Sequence, residues 1–200
     1  DQLQTELKFL KSQYHPHFLF NALNTVYFQI DESNKAPRRT LEMISELLRY
    51  QLYGGNQKVS ILQEIDYLKT YIALRKLRMS ERLRLRVEFP PELNELNIYP
   101  LLFLPLVENA FKYVGGDYQL DIIMKWENNR ISLFIRNSIP ELSAEDEALR
   151  KSVDERQRKG IGLVNLRRRL SLLYPNKHRL ETRKEETEFV AELMIEIEDI

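Results

Sequence analysis

Gln13-Tyr14-His15-Pro16-His17-Phe18-Leu19-Phe20-Asn21-Ala22-Leu23-Asn24 is the stretch from which the fold is read, an aromatic-rich run with helical spacing. It carries two of the three histidines of the 200-residue chain. At about 100° per residue from His17, Asn21 and Asn24 lie within roughly 40°, while Leu19, Leu23, Val26 and Ile30 gather on the far side. That predicts a helix that buries its leucine side and holds an imidazole between two amides outside the core. A histidine on a merely solvated helix face is the plainer reading of the same pattern.

Outward from this stretch the first 80 residues read as helical. The first helix is expected from about Gln2 to Ile30, interrupted at Pro16, which removes a backbone donor and bends the axis. A polar turn, Asp31 to Pro37, precedes a second helix over about Arg38–Tyr53 with Leu41, Ile44, Leu47 and Leu48 inward. Gly54-Gly55-Asn56 breaks it. A third helix is expected over about Leu62–Arg78, with Ile65, Leu68, Ile72 and Leu77 apolar and Ser60 as its N-cap. Short polar turns imply antiparallel neighbours. A lone hairpin buries little, so two copies completing a four-helix bundle is the natural expectation.

The period changes near Arg82. Leu83 to Phe89 alternates apolar and polar, as a half-buried strand does, and Pro90-Pro91 ends it. Gln119–Trp126 and Ile131–Arg136 read as a hairpin about Glu127-Asn128-Asn129-Arg130, and Arg179–Lys184 with Glu188–Glu196 as another. Helices are expected at about Leu101–Val114 and Leu163–Leu173. Mostly antiparallel strands with interspersed helices give an α+β class, with helices covering one sheet face. The expected division is 1–82 and 83–200.

Composition narrows the chemistry. Thirty basic and thirty acidic residues cancel, so no global field recruits nucleic acid or an anionic membrane. The absence of cysteine excludes disulfides, thiolate catalysis and zinc–sulfur sites. No apolar run approaches the roughly 20 residues of a membrane-spanning helix, and no signal peptide is evident. The chain opens inside an amphipathic pattern (Leu3, Leu7, Leu10, Tyr14), as if cut from something longer.

Two further segments carry chemistry. In Leu106-Val107-Glu108-Asn109-Ala110-Phe111-Lys112-Tyr113, helical spacing puts Glu108, Asn109 and Lys112 within roughly a 100° arc, and the apolar residues fill the rest. An acid, an amide and an ammonium on one face match a magnesium–phosphate site; a solvated polar face matches as well. In Lys159-Gly160-Ile161-Gly162-Leu163-Val164-Asn165-Leu166-Arg167 two glycines stand directly before an expected helix, where backbone N–H groups and the helix dipole favour an anion. Glycines also cap and turn. The charged run Pro140–Lys159 before it reads either as a lid hinged at Gly160 or as an unstructured insert.

Together these motifs make the chain resemble the LytS-type branch of bacterial sensor histidine kinases over essentially its whole length. Pro16-His17-Phe18-Leu19-Phe20-Asn21 resembles that branch's phosphoacceptor motif. Leu106 to Lys112 resembles its N box, and Gly160-Ile161-Gly162-Leu163-Val164-Asn165-Leu166-Arg167-Arg168-Arg169-Leu170 its G2 box. The third helix, with Glu64, Tyr71, Leu74, Lys76 and Arg78, is similar to the segment joining the family's two domains.

The resemblance implies a dimerisation and histidine-phosphotransfer domain, 1–82, followed by an ATP-binding α/β sandwich of the Bergerat (GHKL) type, 83–200. It implies that His17 takes the γ-phosphate of ATP, beside Asn21, and passes it to an aspartate on the receiver domain of a response regulator, as in DNA-binding regulators. By the same carry-over Asn109 holds Mg2+, Lys112 contacts phosphate, Glu108 orients the metal's water shell or acts as base, and Gly160, Gly162 and Leu163 line the closing phosphate loop. It further implies a homodimer without nucleic-acid contacts of its own. The chain would be the cytoplasmic portion of an inner-membrane-anchored sensor whose membrane segment lies upstream of Asp1.

An imidazole titrates near about 6.5, so at neutral pH it offers a free ring lone pair, as phosphoryl transfer requires. Two main departures from the wider family stand out, with a milder third at Tyr113. Phe134-Ile135-Arg136-Asn137-Ser138-Ile139-Pro140 lacks the aspartate and glycines of the G1 box, leaving Asn137 as a neutral acceptor for the adenine amino group, weaker than a carboxylate. Phe18 stands where many histidine kinases have an acid, and Tyr113 where relatives often have histidine. The competing reading is a non-catalytic dimeric scaffold or a degenerate nucleotide-binding module. His15, about 200° from His17, is read as structural, and His178, in a turn, as incidental.

Overall fold

The computed structural model describes residues 16–53, 57–91, 93, 96–141 and 161–197. The expectations for residues 1–15, including His15 and the helix before Pro16, lie outside them, as does nearly all of the Pro140–Lys159 segment with Gly160. The elements are α1 (Pro16–Gln29), α2 (Lys35–Tyr53), β1 (Val59–Ser60), α3 (Ile61–Lys76), β2 (Arg84–Glu88), β3 (Asn97–Ile98), α4 (Leu104–Tyr113), β4 (Gln119–Glu127), β5 (Arg130–Ser138), α5 (Ile161–Leu173), β6 (His178–Lys184) and β7 (Glu188–Glu196). It is an α+β fold, a helical N-terminal part followed by helices layered on a five-stranded sheet.

Three helices run where the hydrophobic period puts them. α3 starts as expected: Ser60 Oγ accepts from Leu62 N–H, and Gln63 returns the favour to the Ser60 N–H in a capping box. The β4–β5 turn also follows from its residues. Asn128 and Asn129 both have positive φ, 52° and 59°, the left-handed pair of a two-residue type I′ turn that asparagine tolerates.

The sheet order is β2-β4-β5-β7-β6. Three of its pairings are antiparallel, but β2 runs parallel to β4, Arg84 beside Gln119 through Glu88 beside Ile123. A strand followed by α4 before its partner returns in the same direction, which a period-two pattern cannot reveal. Alternate residues face the helices: Leu120, Ile122 and Met124, Ile131, Leu133 and Ile135, and Ala191, Leu193 and Ile195 are all buried. Val107, Ala110 and Phe111 of α4 and Leu166 and Leu170 of α5 complete that core.

α3 joins the same core through Ile61, Ile65, Leu68 and Ile72. Burying one such side chain is worth about 1.5–3 kcal/mol, so four of them tie α3 firmly to the sheet layer. Its other flank meets α2, where Leu47, Tyr67 and Leu104 form a second buried cluster. Tyr50 and Tyr67 stack there at 4.7 Å between ring centroids. β1 and β3, unforeseen from the pattern, form a two-stranded patch that seats the start of α3 beside the chain before α4.

α1 departs from expectation. It packs on α2, yet none of its residues is buried. Leu19, Phe20, Leu23, Tyr27 and Ile30 are half-buried, whereas Val26, expected inward, is exposed, and Phe18 and Phe28 are 70% and 77% exposed. One neighbouring helix covers only one side of a helix this apolar.

Candidate phosphotransfer and nucleotide site

His17 stands on the exposed face of α1. Asn21, four residues on, brings Nδ2 to 3.1 Å from His17 Nδ1, the contact that one helical turn permits. Thr25 Oγ1 then donates to Asn21 O at 2.8 Å. The sequence-read pair is therefore real: an imidazole with its Nδ1 side engaged by an amide.

α4 begins at Leu104, three residues later than the period suggested, because Leu101 breaks the pattern with a φ of 61°. Within α4 the division of faces holds. Leu106, Val107, Ala110 and Phe111 are buried, Asn109 is half-buried, and Glu108 and Lys112 are exposed. Asn109 makes no side-chain hydrogen bond among the described residues. Lys112 Nζ sits 5.1 Å from the Tyr113 ring centroid. Glu108 has its pKa raised by the protein mass around it, an effect that Arg75 on α3 partly offsets. A group of three or more histidine and carboxylate side chains able to hold a metal is absent among the described residues. Magnesium suits such a site nonetheless, because it prefers one or two protein oxygens with phosphate and water supplying the rest.

α4 packs on β4, β5, α3 and α5, which gathers the N-box-like helix, the Asn137 strand and the G2-like helix into one region. Asn137 is 1% exposed and follows Ile131, Leu133 and Ile135 on the sheet face that α4 covers. Its Nδ2 donates to Ser138 O at 3.4 Å.

Gly162 lies inside the first turn of α5 rather than before the helix. A Cβ built there meets nothing within 4 Å, so packing does not demand glycine. Leu163 beside it is half-buried against the core. His178 opens β6, where its Nδ1 lies 2.7 Å from Tyr174 O, so it is a structural contact rather than an incidental turn residue.

Several residues near the site escaped the sequence reading. Gly116, with φ 61°, puts a built Cβ 2.9 Å from Ile139 O, and Gly115 N–H donates to Ser138 O at 2.9 Å. Together they clamp the end of α4 to the end of β5; the Gly-Gly pair after the helix was the available signal. Arg169 of α5 donates to Pro100 O at 3.0 Å and Leu101 O at 3.3 Å. Glu64 of α3 is fully buried, and a charge within the Ile61, Ile65, Leu68 stripe was the signal for it.

The chain is similar in sequence to known histidine kinases. Residues 5–83 match the sequence pattern of the family described as Histidine kinase. The sensor protein kinase HptS of Staphylococcus aureus (strain USA300) is 29% identical over 180 residues, covering 88% of this chain and 35% of that kinase. The histidine kinase domain of the Erythrobacter litoralis EL346 blue-light activated kinase has a TM-score of 0.48 at 13% identity, covering 98% of this chain and 95% of that one. The catalytic domain of histidine kinase ThkA scores 0.45 at 17% identity, covering 70% and 95%. The chain spans about a third of the length of the curated kinases it matches. By its sequence, the chain is similar to the histidine kinase family over residues 5–83 and to a sensor protein kinase over 180 residues.

Proposed function

We propose that the chain is the phosphotransfer and ATP-binding core of a two-component sensor kinase, in which His17 takes the γ-phosphoryl group of ATP and yields it to an aspartate of a response-regulator receiver domain. The exposed His17–Asn21 pair, inside the segment that matches the histidine kinase family, is the observation that carries this reading. An exposed imidazole can meet both a nucleotide and a partner protein in turn. If the Asn21 amide turns to present its oxygen, it accepts from Nδ1–H and leaves the Nε2 lone pair free to attack phosphorus. The new N–P bond forms as the bond from the γ-phosphorus to the β–γ bridging oxygen breaks, and ADP leaves with that oxygen.

Residues 83–200 would bind the nucleotide and 1–82 would carry the phosphoacceptor. In that assignment Asn109 would hold Mg2+, which would supply neutralisation of phosphate charge, and Lys112 would add a second positive point charge. Glu108 orients water on the metal or takes a proton, and Asn137 accepts from the adenine amino group. The phosphates would meet Gly162 and Leu163 at the start of α5; Gly160, assigned to the same loop by the resemblance, lies outside the described residues. The uncovered apolar side of α1, with Phe18 and Val26, supports a homodimer through a four-helix bundle. The similarity to sensor kinases supports a cytoplasmic position behind a membrane-anchored sensor. Transfer of γ-label from ATP to His17 tests the proposal.

A second reading, a dimeric module without catalysis, draws on Asn137. Its neutral, nearly fully buried amide stands where the wider family has a carboxylate. Measured ATP affinity separates the two.

A further inference from the structure

Glu64 is the most deeply buried acidic side chain among the described residues, 0% exposed on the stripe that α3 presents to the sheet layer, with Asp121 next at 3%. Its Oε1 accepts two hydrogen bonds, from Tyr50 O–H of α2 at 2.6 Å and from Leu101 N–H at 2.9 Å. Its Oε2 is buried without a partner. Burying a carboxylate in this way is costly, and a leucine of similar volume would pack the same space more favourably. What the carboxylate does that leucine cannot is join two separate parts of the chain at one oxygen.

Both parts matter to the proposed reaction. Tyr50 belongs to α2, the partner of the helix that carries His17. Leu101 lies three residues before α4, which carries Glu108, Asn109 and Lys112. Leu101 holds a φ of 61°, a left-handed conformation that a bulky residue keeps only when its surroundings enforce it. Here they do so from both sides. Glu64 takes its N–H, and Arg169 of the G2-like helix donates to its carbonyl oxygen. Arg169 also supplies the positive charge that faces the Glu64 carboxylate.

Resting on the kinase reading above, we propose that Glu64 is a positioning residue, latching the His17 hairpin through Tyr50 to the start of the Asn109 helix through Leu101, with Arg169 closing the latch from α5. A shift of α2 that withdraws Tyr50 removes one of the two donors on Oε1. Hairpin movement is thereby felt at the turn that sets where α4 begins. The latch aligns the phosphoacceptor with the nucleotide site and leaves the internal geometry of that site to the sheet core.

The test compares the 200-residue chain with Tyr50→Phe and Glu64→Gln, each first shown to melt cooperatively. Both substitutions keep side-chain shape. With γ-labelled Mg-ATP, Tyr50→Phe is expected to lower the labelling rate at saturating ATP about ten-fold while the KM for ATP stays within about two-fold. Hydrogen exchange at the Leu101 amide, which needs no catalysis, is expected to quicken at least about five-fold in Glu64→Gln, where a charge-assisted bond becomes a neutral one. Wild-type labelling rates in both variants overturn the proposal, as does an effect of Tyr50→Phe on KM alone. An unchanged Leu101 amide in Glu64→Gln overturns the latch whatever the labelling shows. An unlabelled wild type overturns the kinase reading and the alignment role with it.

Discussion

Asn21 approaches the Nδ1 of His17 at 3.1 Å from one helical turn away, so the ring orientation is set within α1 itself. The pair requires no other part of the protein, which is why it was legible in the sequence.

Asn21→Ala should therefore slow labelling of His17 about ten-fold or more, since the imidazole loses the group that fixes its tautomer. Asn21→Asp keeps an acceptor for Nδ1–H and should retain most of the rate. Equal rates in Asn21→Ala and wild type would remove Asn21 from the mechanism. Nitrogen-detected NMR of the His17 ring checks the tautomer directly.

The uncovered side of α1 predicts self-association. Val26→Glu and Phe18→Glu place a charge on the face that α2 leaves open, and each should convert a dimer into a monomer at about micromolar concentration, by the cost of burying an unpaired carboxylate. Light scattering reads this. A wild type that is monomeric there contradicts the bundle.

Two glycines should answer oppositely. Gly116→Ala forces a Cβ into 2.9 Å contact with Ile139 O at a φ of 61°, so it should cost at least about 1–2 kcal/mol. Gly162→Ala meets nothing within 4 Å and lies in a helix, so it should leave stability unchanged or raise it by up to about 1 kcal/mol. If phosphate oxygens approach the backbone at residue 162, the same substitution weakens ATP binding. Denaturant melts and nucleotide titration of both variants check the pair.

Glu64 predicts a pH dependence. Burial raises its pKa above the ordinary 4.5, an effect that the bonds from Tyr50 and Leu101 and the charge of Arg169 only partly offset. A raised carboxyl pKa means that the folded chain binds the proton more tightly than the unfolded one. The stability contribution is then best at low pH and falls as pH climbs from 4.5 through the raised value. Stability measured from pH 4 to 8, wild type minus Glu64→Gln, should decline across that window. A flat or rising difference contradicts it.

The hydrophobic period revealed the helices, the β4–β5 turn and the faces of α4, because each depends on neighbours within a turn or a hairpin. Long-range pairing was not legible. The parallel union of β2 with β4 and the two-residue patch of β1 with β3 join segments more than 30 residues apart. Likewise the contacts of Glu64 were not legible, since its partners Tyr50, Leu101 and Arg169 come from three other segments. Gly162 shows the limit of motif reading at a helix start, a difference of two residues in where α5 begins having moved it from loop to helix.

In the proposed reaction His17 accepts phosphate from ATP. Incubating the wild type and His17→Ala with γ-labelled ATP and Mg2+ tests it most directly, with ATP binding measured on the same samples. Acid-labile, base-stable label is expected on the wild type and none on His17→Ala, at equal ATP affinity. Label that persists in His17→Ala, or a wild type that neither binds ATP nor takes label, would contradict it.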